Sequence, residues 1–96
     1  MTTSSASVQT AKASTNLKKL CRHFAHKVEV DFDDARGVIR FPFGGEAELL
    51  AADDTLRLEA RAEEEEALAR VEKILTDHLL RFAHREELAV SWHRAN

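Results

Sequence analysis

Apolar residues recur along this chain with two different periods, and each change of period marks the border of an element. ASVQTA at 6–11 reads as a short strand. Ser14 or Thr15 then offers an N-cap. Leu17, Leu20, Cys21 and Phe24 follow at i, i+3, i+4 and i+7, the apolar stripe of a helix that ends near His26. Period two takes over next. Val28, Val30 and Phe32 alternate with Glu29, Asp31 and Asp33, and the DDARG turn leads into Ile39, Phe41 and Phe43 against Val38, Arg40 and Pro42. Turns at Gly44-Gly45 and Asp53-Asp54 introduce two more runs, Ala47, Leu49, Ala51 and Leu56, Leu58, Ala60. Each run has one apolar and one mostly polar face, as in an antiparallel sheet covered on one side only. Pro42 cannot donate to a ladder, so it belongs at an edge, a bulge or a strand end.

The helical period returns over residues 62–86. Leu68, Val71, Leu75, His78 and Phe82 form a stripe that Ile74 and Leu79 widen, and Glu63 to Glu66 occupy the first turn, where the helix dipole favours carboxylates. Leu88, Val90 and Trp92 then predict a last strand. The order is β-α-β-β-β-β-α-β. This is an α+β two-layer sandwich: a mainly antiparallel sheet with two helices on one face, and Phe24, Phe32, Phe41, Leu68, Val71, Leu75, Phe82 and Trp92 in one core.

Composition adds bounds to this picture. The 96 residues suit one domain spanning the whole chain, and 44% hydrophobic with 32% charged residues is ordinary for a globular protein. No apolar run reaches the ~18–20 residues of a membrane span. MTTSSASVQTAKAS has no apolar stretch of the kind a signal peptide needs. The single cysteine, Cys21, excludes an internal disulfide and fits a reducing compartment, so a cytoplasmic location is expected. Charge is unevenly spread. Residues 1–28 hold Lys12, Lys18, Lys19, Arg22 and Lys27 with no acid, whereas residues 29–96 hold nine basic and seventeen acidic residues. The two regions can neutralise each other, or the basic one can face an anionic partner.

The triplet Phe-Ala-His occurs twice, in HFAHKVEV at 23–30 and RFAHREELAV at 81–90. Both copies close a helix. His26-Lys27 and His84-Arg85 therefore put protonatable groups beside exposed helix carbonyls, which accounts for the repeat without a ligand. A metal reading rests on His23 and His26, an i, i+3 pair that lacks a third ligand fixed by spacing; His78, His84 and Glu86 are the candidates. His78 falls on the apolar stripe, where a hydrogen-bonded structural imidazole is the plainer expectation. Cys21 lies on the other stripe and behaves there as a small hydrophobe. No nucleophile elbow or phosphate-cradling glycine loop is present, and no cofactor is implied. The polar sheet face sets Glu29, Asp31, Asp33, Glu46, Glu48 and Glu59 beside Arg40, Arg57 and Arg61, which suits cross-strand pairing. It offers no stacking aromatics, which argues against nucleic acid.

LKKLCRHFAHKVEV, FPFG and RFAHREELAVSWHR together resemble the bacterial domain-of-unknown-function family numbered 2218, and the resemblance covers nearly the whole chain. It implies no chemistry, because the family has no established activity; it implies a loose association with siderophore-interacting flavin reductases, and so with iron uptake. Members often carry a cysteine shortly after FPFG, where Gly45, Glu46 and Ala47 stand here, so a two-cysteine site is not expected. Two function classes follow. One is a non-catalytic accessory or binding module that meets a protein partner or a small anionic ligand through Lys18, Lys19, Arg22, His26 and Lys27. The other is a metal- or cofactor-dependent enzyme using His23 and His26. The first is preferred, since no base, nucleophile and oxyanion donor converge in the sequence.

Overall fold

The computed structural model describes residues 1–95, arranged as β1 (Thr2–Gln9), α1 (Ala13–Ala25), β2 (Glu29–Phe32), β3 (Arg36–Phe41), β4 (Gly45–Ala52), β5 (Thr55–Ala62), α2 (Glu65–Phe82) and β6 (His93–Ala95). The predicted order and α+β class hold. All strand pairs are antiparallel, and the sheet runs β2-β3-β4-β5-β1-β6. Its longest ladder joins β1 to β5 over eight residue pairs, from Thr2 opposite Ala62 to Gln9 opposite Thr55. The edges are short strands of four and three residues, which limits pairing with other chains.

Register follows from the turns. Pro42-Phe43-Gly44 joins β3 to β4 with Gly44 at φ 93°, a left-handed position that glycine adopts without strain. Pro42 thus ends its strand, and Gly45 belongs to β4 rather than to the predicted Gly44-Gly45 turn. Asp33 shapes the β2–β3 turn by accepting hydrogen bonds from the Ala35 and Arg36 amides at 2.8 and 2.9 Å, and these bonds hold its carboxyl below the usual range.

Both helices cover one sheet face. The apolar side of α1 and the Leu68, Val71, Leu75 and Leu79 side of α2 bury fully against Ile39, Leu49, Leu56, Leu58 and Val8. Each buried leucine contributes on the order of 1.5–3 kcal/mol. Two glycines set how closely the layers approach. A β-carbon at Gly37 would lie 2.5 Å from Cys21 Sγ, and one at Gly45 would lie 2.5 Å from Val71 Cγ2. On the other face Arg40 pairs with Glu29, Asp31 and Glu46, while Arg61 pairs with Glu46, Glu48 and Glu59, the expected cross-strand ladder.

Several expectations are corrected. Strand β1 spans 2–9 rather than 6–11, because Thr2 to Gln9 all find partners on β5. Neither Ser14 nor Thr15 caps α1; Lys12 stands at the N-cap without a side-chain bond, and the Ser14 hydroxyl donates to the Asp34 carbonyl instead. Helix α2 begins at Glu65, leaving Glu63 and Glu64 ahead of it. Residues 88–92 form no strand; pairing with β1 starts at His93. Phe32 is 37% exposed, since it ends the outermost strand, and Phe82 and Trp92 only flank the core. The Trp92 indole N–H donates to Thr76 Oγ1 at 2.8 Å, pinning the segment before β6 to α2.

A cationic groove at the joined helix ends

Helix α1 carries two stripes of the same spacing. Leu17, Leu20, Cys21 and Phe24 face inward, and Lys19, Arg22, His23 and His26 repeat the i, i+3, i+4, i+7 pattern two residues later, on the outer side. The end of α2 closes on this second stripe. The His23 ring lies 5.0 Å from the His78 ring and 5.4 Å from the Phe82 ring. Between the helices runs a shallow groove of about 430 Å³ lined by Lys19, Arg22, His23, His26 and Phe82, with no acid among them.

The predicted binding residues therefore divide. Lys19, Arg22 and His26 come together. Lys18 does not join them: its ammonium lies 3.3 Å from Asp34 Oδ1, and it is not in the groove lining. Lys27 is exposed just beyond α1, outside the groove lining, but its charge reaches His23. Among the described residues Lys19, Arg22, Lys27 and Arg81 make no ion pair, in contrast to the paired arginines of the sheet. Two helix C-termini meet here, and together they amount to about one negative charge. Four full cations exceed that.

His23 is held below the usual imidazole pKa, first by burial against the rings and then by the charge of His78, Lys27, Arg81 and His26. It therefore presents a neutral ring at pH 7. His78 Nδ1–H donates to the Ile74 carbonyl at 2.7 Å, the structural role its place on the stripe suggested. The His23 ring packs against His78 and Phe82. Among the described residues no three His, Cys, Asp or Glu side chains converge as a metal would need. Cys21 is fully buried, and burial pushes its thiol up to about 11, so it holds no thiolate at neutral pH. His26 is exposed at the end of α1, and His84, also exposed, bonds through Nδ1 to the Arg81 carbonyl at 3.2 Å, as helix-end residues should.

Three features escaped the sequence reading. Asn16, buried on α1, donates to Thr10 Oγ1 and Glu86 Oε2 at 3.1 Å each, and Thr10 also bonds Glu86; this network ties the loop after α2 to the start of α1. An asparagine one turn before Leu20 on the apolar side was the available signal, since a buried amide requires partners. A second hollow of about 260 Å³ lies at the start of α2, where Arg70 sits 4.3 Å over the Phe43 ring among Glu63, Glu64 and Glu66. Further along α2, Glu72 receives a bidentate bond from Arg94 of β6 at 2.9 and 3.0 Å. Burial alone would raise the Glu72 pKa, but the guanidinium outweighs it and the net shift is downward.

No helix is long and apolar enough to cross a membrane among the described residues. No curated protein matches the chain. The NMR structure of PA4090 from Pseudomonas aeruginosa is similar over 97% of this chain and 96% of that one, at 34% identity and a TM-score of 0.83. The model of a family described as an uncharacterized protein conserved in bacteria (DUF2218) matches residues 5–93. By this match and that shared fold, the chain belongs to the DUF2218 family.

Proposed function

We propose that this protein is a non-catalytic binding module that takes a small anionic ligand in the groove between the ends of α1 and α2. One observation carries the reading: Lys19 and Arg22 stand unpaired beside His23 and His26 over a hollow without an acid. Arg36, Arg40, Arg61 and Lys73 on the sheet and on the outside of α2 pair with carboxylates, whereas Lys19 and Arg22 do not. No acid lines the groove; Glu86 feels the charge of Lys12 and Lys19 but is held by Thr10 and Asn16. A carboxylate or phosphate supplies what is missing, and its affinity falls with salt, because such contacts are screened within about 10 Å at 0.1 M. Iron-chelating anions belong to this ligand class, and a link to siderophore metabolism would act through the same groove.

Amide shift mapping with inorganic phosphate at low salt tests the proposal. Perturbations should concentrate on Lys19–His26 and the end of α2, and the double charge reversal Lys19→Glu with Arg22→Glu should abolish them. Shifts scattered over the surface, or unchanged in a folded double variant, would reduce the basic side of α1 to a solvated face.

A further inference from the structure

We infer that the anion this groove accepts carries an aromatic ring next to its charge. The inference rests on the anion-binding reading above and adds the other half of the ligand. Phe82, partly buried at the wall of the groove, is one face of a continuous aromatic cluster. It contacts His23 at 65°, His23 meets Phe24 at 82°, and Phe24 meets Phe41 inside the core at 82° with centroids 5.6 Å apart. His78 closes the cluster behind, 4.9 Å from Phe24 and tethered by its bond to Ile74. The wall is therefore rigid, and its rings meet edge to face or tilted, the arrangement that ring quadrupoles favour.

An inorganic anion would engage the rim cations and leave this wall wet. A ring bearing a carboxylate uses both parts. Its ring continues the edge-to-face cluster on Phe82 and His23, its carboxylate meets Lys19, Arg22 and His26, and the rim cations lie near its π face. A saturated ring buries similar area but has no quadrupole to offer the cations or the neighbouring rings.

Titrating the labelled full chain with benzoate, cyclohexanecarboxylate and acetate at low salt and pH 7.5 decides the matter. Benzoate should bind about tenfold tighter than acetate and a few-fold tighter than cyclohexanecarboxylate, with ring-current shifts on His23 and Phe82 protons. Phe82→Leu should shrink the benzoate-to-acetate affinity ratio toward one; if that variant does not fold, the wild-type series decides alone. Acetate and phosphate mapping to the groove with benzoate no tighter than acetate, or no tighter than cyclohexanecarboxylate, would overturn the aromatic class and leave the anion reading standing. No perturbation by any of the four would remove both.

Discussion

Replacing Gly37 by alanine should destabilise the domain by about 1–2 kcal/mol, and removing the Cys21 sulfur at the same time should restore most of the loss. The new β-carbon would lie 2.5 Å from Cys21 Sγ, 3.3 Å from Phe32 Cβ and 3.5 Å from Leu17 Cδ2. Sγ sits on a fully buried helical side chain, so α1 must move or the cysteine must leave its rotamer. Overpacking of this kind costs ~1–3 kcal/mol. Loss of glycine's freedom in the unfolded chain returns ~0.4–1 kcal/mol. Cys21→Ala alone should cost about 1–2 kcal/mol, from lost burial and a small void. The double variant moves one heavy atom across the interface, from α1 to β3, at nearly constant volume. It should lie within about 1.5 kcal/mol of wild type, the Phe32 contact preventing full recovery, so the coupling should reach ~1 kcal/mol or more. Urea unfolding followed by circular dichroism reads this directly, each kcal/mol moving the midpoint by about 0.3–1 M. Strictly additive costs would mean that Gly37 and Cys21 do not set the distance between helix and sheet.

His23 should make stability fall on the acid side. Its folded pKa is lowered from 6.5, so below that pH the unfolded chain binds the proton more readily. The contribution is complete above about pH 6.5 and lost as pH falls through the folded value; His23→Gln should flatten that part of a stability-versus-pH curve. An anion in the groove offsets the charges that disfavour the imidazolium, so calorimetry in buffers of different ionisation heat should show proton uptake on binding near neutral pH. Phe82→Ala should cost about 2 kcal/mol by thermal or urea melting, below the ~3–5 of a fully buried phenylalanine, because Phe82 only flanks the core. Trp92→Phe, which removes the bond to Thr76, should cost ~0.5–1.5 kcal/mol in the same assay. Protein purified without a histidine tag should contain no stoichiometric zinc or iron by elemental analysis. One equivalent of metal, lost when His23 and His26 are both replaced by glutamine, would favour the enzyme class instead.

Periodicity in the sequence determined the element types, their order and the inward faces, because local burial alternates with the geometry of the backbone. Leu17, Leu20, Cys21 and Phe24 needed no partner's position to be read as one stripe, and neither did Leu56, Leu58 and Ala60. Ends and edges were different. Whether Phe32 is buried depends on whether anything covers β2, and whether residues 88–92 or 93–95 pair depends on where β1 offers free hydrogen-bonding groups. The candidate site divides the same way. The outer stripe of α1 was legible as Lys19, Arg22 and His26 on one side. That Lys18 would be taken by Asp34, that His23 would turn to His78, and that Phe82 would wall a groove all depend on how α2 crosses α1. How each helix sits on the sheet depends in turn on residues distant in sequence, such as Gly37 against Cys21 and Gly45 against Val71, whose close fit no local pattern encodes.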